Sequence, residues 1–325
     1  MTAVVTGASG HVGANLVRAL IERRRSCRAI VRQDQRALEG LDVERVHADV
    51  LEGHSLTRAF QGADVVYHLA ARISIVGDER GRVYETNVIG TRNVVRACLQ
   101  CGVKRLVHFS SIHAFSQNPM NAPLDESRPP VAGPKALAYD RSKALGEAEV
   151  RAGIESGLDA VIVNPTAVLG PYDFKPSPMG QVLIDLYRRK LSVLVEGGFN
   201  WVDVRDVVQG AMAAEAKGRT GENYLLSGQW LSIHELAQVV QDVTGAKPWS
   251  WVCPTWLARI VAPFAETQAV LLGKRPLFTR ESLAALRGAQ NISRKKAEEE
   301  LGYAARPIVE TIRDTFDWLK SSGRI

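Results

Sequence analysis

The chain has 325 residues, 46% of them hydrophobic and 23% charged, which excludes a disordered or fibrous protein and leaves room for one large domain or two lobes. Its 41 basic and 35 acidic residues give a net charge of +6. The basic residues are scattered or in short runs (Arg23-Arg24-Arg25, Arg188-Arg189-Lys190, Arg294-Lys295-Lys296) and are not interleaved with aromatics on one element, which argues against nucleic acid as a partner.

Residues 3–6 read as a strand and 11–24 as a helix, with Val12, Leu16 and Leu20 at four-residue spacing. Between them lies Thr6-Gly7-Ala8-Ser9-Gly10-His11-Val12-Gly13. Gly7 permits the tight turn, Gly10 lets the backbone approach a pyrophosphate, and Gly13 lets helix and strand pack closely. Ser9, His11 and Val12 complete a turn whose free N–H groups bind phosphate. The first strand begins at Ala3, so no signal peptide is expected before it.

A second strand, 27–31, ends on Arg32. An acidic residue there would hold the ribose 2′-OH of NAD, whereas a planar guanidinium suits the 2′-phosphate of NADP. NADP is therefore the expected cofactor, although Asp34 follows closely. A third strand, 43–47, leads to Asp49 and Val50, and Asp49 is placed for the adenine amino group. After a fourth strand, 64–69, Leu69-Ala70-Ala71 is a small-residue turn along which a cofactor can lie close. A long helix, 82–101, carries Cys98 and Cys101. With no second pair and no histidines at ligand spacing, these read as two small thiols on one face, so no metal is expected. Four cysteines in all (the others are Cys27 and Cys253) fit a reducing cytoplasm.

A fifth strand, 105–110, ends on Ser110-Ser111, and the next helix, 139–155, opens with Tyr139-Asp140-Arg141-Ser142-Lys143. The i, i+4 spacing puts phenol and ammonium on one face. A free tyrosine has a pKa of about 10, and a nearby lysine cation is expected to lower it so that the phenol can exchange protons with a carbonyl or an alcohol. Ser111, at the carboxyl end of a parallel strand, would orient the reacting oxygen, with Ser110 in support. His113 is a candidate to touch substrate, although a histidine at a strand end is more often structural.

After a sixth strand, 159–163, the pattern loosens into a proline-rich stretch, a helix near 203–216, a strand near 223–227 and a mostly helical remainder. The expected architecture is α/β, a doubly wound parallel Rossmann sheet (1–165) with a smaller, mainly helical substrate lobe (166–325) and segments near 200–227 returning to the sheet. The apolar stretch 256–272 is interrupted by Arg259, Pro263 and Glu266, so no membrane span is expected.

The phosphate turn, the serine pair and YxxxK together resemble the extended branch of the short-chain dehydrogenase/reductase superfamily, in the NAD-dependent epimerase/dehydratase family. The nearest groups are dihydroflavonol reductase-like and 3β-hydroxysteroid dehydrogenase-like proteins, and hopanoid-associated sugar epimerases share the pattern. Asn87-Val88-Ile89-Gly90-Thr91 resembles a motif whose Asn supports the active-site loops. The segment 164–171 resembles the strand end beside the nicotinamide, which implies cofactor contacts for Pro165, Thr166 and Val168. The segment 202–207, Val-Asp-Val-Arg-Asp-Val, resembles a third family motif. The resemblance also implies that Lys143 holds the nicotinamide ribose and that the protein is a homodimer built on the two long helices.

Two departures bear on the chemistry. Sugar-nucleotide enzymes of this branch carry an Arg just before the segment at 202–207; here Gly197-Gly198-Phe199-Asn200-Trp201 has none, and Phe199 and Trp201 would form an apolar wall. Dehydratases place an Asp-Glu pair after the catalytic hydroxyl; here Ile112-His113 follows. The leading reading is an NAD(P)-dependent oxidoreductase that moves hydride between nicotinamide and the carbonyl or secondary alcohol of a small, fairly apolar molecule. A sugar epimerase working through a keto intermediate and a non-catalytic nucleotide sensor are the alternatives. The sensor usually loses the Tyr or the Lys.

Overall fold

Both faces of the first strand are apolar, and that decides where it sits. In β1 (Thr2–Thr6), Ala3 and Val5 point into one core and Val4 into another, all fully buried. A strand buried on two faces belongs in the middle of a sheet covered by helices on both sides. The computed structural model describes residues 1–74, 77–133, 136–191, 194–246, 252–254, 286 and 288–325. The elements of the first half, in chain order, are β1, α1 (His11–Glu22), β2 (Ser26–Val31), β3 (Glu44–His47), α2 (Gly53–Phe60), β4 (Val65–His68), α3 (Arg82–Tyr84), α4 (Gly90–Gln100), β5 (Arg105–Phe109), α5 (Ala138–Glu155) and β6 (Ala160–Pro165). There follow β7 (Ala167–Leu169), α6 (Pro178–Tyr187), β8 (Leu194–Val195), β9 (Gly198–Asp203), α7 (Val204–Lys217), β10 (Asn223–Leu226), β11 (Gln229–Ser232), α8 (Ile233–Thr244) and β12 (Val252–Cys253). Two further helices span Lys295–Leu301 and Ile308–Ser321.

Seven strands form one parallel sheet in the order β10-β6-β5-β4-β1-β2-β3. The direction of strand succession reverses between β1 and β4, so the crevice at their carboxyl ends is the topological switch point where such sheets bind ligands. β7 and β9 pair in parallel, and β11 pairs antiparallel with β9, to make a second, three-stranded sheet. A separate apolar cluster built on α6, α8 and Ile308–Ser321 covers it.

Three expectations need correction. The segment 82–101 is not one regular helix: a π turn, Glu85–Ile89, joins α3 to α4. There Asn87 turns its amide toward neighbouring loops and Gly90 lies against Val50, where a Cβ would come within 2.9 Å of the valine side chain. π turns of this kind are frequent at functional sites. The helix α2 was not expected, since it has only eight residues; its buried Leu56, Ala59 and Phe60 share one face, at i, i+3 and i+4. The later part of the chain is less purely helical than its sequence implies, because β7, β9 and β11 are short and find partners only in space. The apolar stretch 256–272 lies outside the described residues. Among those described, no helix is long and apolar enough to cross a membrane, and no three His, Cys, Asp or Glu side chains gather as a metal site.

Candidate active site

The glycine-rich turn is shaped by what cannot fit. Gly7 has φ +69°, and a Cβ on it would lie 2.7 Å from the Ala70 nitrogen. A Cβ on Gly13 would fall 2.2 Å from the Gly7 carbonyl oxygen. Gly10 opens α1 without any side-chain cap, so the first-turn N–H groups remain for an anion. Thr6 closes the crevice from below: its hydroxyl accepts from the Leu69 and Ala70 N–H groups at 3.2 Å and lies 2.8 Å from His68 Nδ1. Thr91 Oγ1, which donates to the Asn87 carbonyl, is 3.1 Å from His68 Nε2. With Thr6 donating to Nδ1, the histidine proton belongs on Nε2. Burial, aided by the Lys143 charge, pushes this histidine down to about 3, so it stays neutral. The residues fit a dinucleotide. Buried hydroxyls without a protein partner at the same carboxyl edge, Ser110 Oγ and Thr166 Oγ1, agree with that fit.

The catalytic candidates meet at this edge. Ser111 is extended (φ −162°, ψ 157°) and caps a short 3₁₀ turn, Ile112–Ala114, its Oγ accepting from the His113 N–H at 3.2 Å. Tyr139 and Lys143 lie one turn apart on α5. Lys143 is buried, and its Nζ donates to the Phe109 carbonyl at 2.8 Å. Burial pushes Lys143 down to about 8, against the opposing pull of Glu147. Tyr139 departs from expectation. Burial pushes its phenol up to about 12, while a hydrogen bond with Ser111 works the other way and Asp140 adds to the rise. The predicted lowering by Lys143 is absent because that ammonium is turned onto Phe109. In this arrangement Tyr139 is a neutral phenol, a donor of protons.

The other named residues fall into two groups. Asn87 is the hub of the loops. Its amide donates to Ser142 Oγ at 2.8 Å and to the Arg72 carbonyl at 3.0 Å, and its Oδ1 accepts from the Arg72 N–H at 2.7 Å. His11 lies 3.1 Å from the Pro171 carbonyl, which fastens the glycine turn to the loop after β7. Pro165 ends β6 and Val168 lies in β7. Ala71 is exposed in the turn, with Leu69 and Ala70 half-buried beside it. Val50 is a core side chain against α4. His113 Nδ1 is 3.2 Å from Asp140 Oδ1 without hydrogen-bond alignment, and its ring stands edge-on to Tyr139. Trp201 is 1% exposed and donates its indole N–H to the Leu231 carbonyl, so it packs the smaller core rather than walling an open pocket; half-buried Phe199 packs edge-on against it.

The sequence matches the NAD dependent epimerase/dehydratase family over residues 3–227, a span that holds the glycine turn, the Ser-Tyr-Lys site and β10. The chain belongs to this family. It is 34% identical to the sterol demethylase protein B of Methylococcus capsulatus, with 100% of both chains covered. It is 32% identical to a putative dihydroflavonol 4-reductase of Synechocystis, covering 99% of this chain and 95% of that one. Of solved structures, that of gox2253 superposes with a TM-score of 0.87 at 34% identity, covering 100% and 99%. As a member of the epimerase/dehydratase family, the protein is an NAD(P)-dependent oxidoreductase of the extended short-chain dehydrogenase/reductase type.

Within this family member the segment 202–207 has a structural task. Asp203 is fully buried, caps α7 and accepts from Arg205, with the Arg306 guanidinium 3.6 Å away; Asp206 accepts from Arg306 as well. Thr6, Ser142, Glu147 and Asn223 are site-supporting residues that sequence reading missed. Glu147 left a trace, a carboxylate one turn beyond Lys143 on the same helix face.

Proposed function

We propose that the protein interconverts a ketone and a secondary alcohol on a small, fairly apolar molecule, using NADP. The observation that carries this reading is the meeting of Ser111, at the carboxyl end of β5, with Tyr139 and Lys143 one turn apart on α5, the Lys143 ammonium bonded to the Phe109 carbonyl that precedes the serine pair. A bound nicotinamide supplies the hydride in one direction and takes it in the other. Ser111 orients the substrate oxygen, Tyr139 Oη gives or takes its proton, and Lys143 holds the ribose from below. The sterol and dihydroflavonol named for the two relatives are ring-bearing and largely apolar, in keeping with Phe199 and with the missing arginine before residue 202. Incubation with NADPH and a panel of cyclic ketones tests the reading. Net loss of NADPH absorbance is expected, whereas an epimerase would regenerate its cofactor and show none.

Support for NADP comes from the loop after β2. Asp34, the acid that could take a ribose 2′-OH, is held by Arg36 through hydrogen bonds of 2.9 and 2.6 Å, which keep its carboxyl down at about 2. The Arg32 guanidinium is 71% exposed, pairs with Asp49 at 3.2 Å as its one ion pair among the described residues, and can swing onto a phosphate. NADPH should therefore bind at least tenfold more tightly than NADH, and Arg32→Ala should remove most of that difference, since a charge-assisted contact is worth about 1.5–3 kcal/mol. Equal affinities of the native protein for both cofactors, measured by fluorescence titration, would refute this.

A homodimer through α4 and α5 completes the proposal. Leu99 and Leu145 on these helices, with Tyr84 nearby, leave large apolar side chains 37–42% exposed. Light scattering should give twice the chain mass at micromolar concentration; a monomer there would count against it.

A further inference from the structure

Beneath Ser111 and Lys143 lies a buried polar network that the chemistry above leaves unused. Glu147 is 5% exposed, Asn164 0% and Asn223 5%. The Asn164 amide donates both its hydrogens, one to the Ser111 carbonyl at 3.0 Å and one to Glu147 Oε1 at 2.7 Å. The Asn223 amide donates to Glu147 Oε2 at 2.9 Å and to Asn164 Oδ1 at 2.9 Å. Arg151 closes the chain by donating to Asn223 Oδ1 and to the Gly221 carbonyl. Three elements, α5, β6 and β10, thus place a fully bonded carboxylate under the site. A buried carboxylate is costly for stability even when paired, and an apolar side chain would fill the space at less cost. Its surroundings point to a task. One arm reaches the backbone of Ser111, and Lys143 lies one helical turn away.

We propose that Glu147 is a positioning residue: its carboxylate holds Asn164 against the Ser111 carbonyl and provides the counter-charge that keeps the Lys143 ammonium in the site. The proposal rests on the reading that Ser111, Tyr139 and Lys143 form the working site. The titratable groups whose charge is felt at Lys143 are Glu147 on its own helix, His68 from β4 and His108 from β5. Burial holds both histidines neutral, so Glu147 is the anion of that set.

The test is NADPH binding from pH 6 to 10, followed by fluorescence, for the native protein and for Glu147→Gln and Lys143→Met. Native affinity should fall as pH rises through about 8, where Lys143 loses its charge. In Glu147→Gln the midpoint should move down by about one pH unit, the effect of removing one nearby opposite charge. A midpoint that stays in place while Lys143→Met abolishes the pH dependence would overturn the role of Glu147 alone. If Lys143→Met titrates like the native protein, the reading of the site itself fails. Asn164→Ala keeps the carboxylate and carries the test if Glu147→Gln does not fold. On the ketone that consumes NADPH fastest, it should lose about ten- to a hundredfold in kcat with the binding midpoint unmoved. Native kcat in that variant would refute the positioning of Ser111.

Discussion

Tyr139→Phe should lower turnover by about 10²–10⁴-fold while leaving NADPH affinity within about twofold of the native protein. The substitution removes the hydroxyl to which the proposed function assigns the proton transfer but keeps the ring that packs edge-on to His113. The glycine turn, Asn87 and Lys143 are untouched, so the cofactor crevice should stay as it is. The loss corresponds to about 3–5 kcal/mol of barrier. Ser111→Ala should be milder, about 10- to 10³-fold, as for one donor to a reacting oxygen. Stopped-flow measurement on a true substrate separates the two. Full activity in Tyr139→Phe would mean that another group handles the proton, with His113 the first candidate.

Lys143→Met is expected to damage rate and cofactor affinity together, which sets it apart from Tyr139→Phe. The ammonium is buried and donates to the Phe109 carbonyl, and the proposed function has it hold the ribose. Its proton leaves near pH 8 because burial disfavours the charged form. Native binding should therefore weaken as pH rises through that value, and the variant should be weak at every pH. Folding responds with the opposite sign. An unfolded lysine keeps its proton to about 10.4, so between about 8 and that value the unfolded chain holds more protons, and native stability gains with rising pH. Denaturant titrations at pH 7.5 and 10 should show this component in the native protein and its loss in Lys143→Met. An identical pH slope in both would contradict the lowered value.

Much of the dinucleotide crevice was legible from the residues alone. A glycine needed at φ +69° and another whose Cβ would strike the Gly7 carbonyl are demands of local geometry, and they show in sequence as glycines. The i, i+4 spacing of Tyr139 and Lys143 is likewise a property of one helix. A parallel sheet covered by helices followed from the alternation of apolar runs and helices, because parallel strands require crossovers, whereas the order of its strands is seen only in the fold. The boundaries of 82–101 were not legible, since the π turn forms only where Asn87 is claimed by the loop at Arg72 and by Ser142 of another helix.

Residue types and their spacing along the chain determined the fold class and picked out the glycine turn and Ser111, Tyr139 and Lys143 as candidates. The tertiary structure decided the ionisation of that set. Tyr139 is raised rather than lowered because the surrounding atoms exclude water and Lys143 is directed to the Phe109 carbonyl. It also decided that Trp201 is a core side chain, since β9 pairs with β7 on one edge and β11 on the other. Glu147, Asn164 and Asn223 are far apart in the chain, and only the neighbouring positions of α5, β6 and β10 bring them together. Burial and charge coupling depend on distances across the fold, and spacing along the chain carries no record of them.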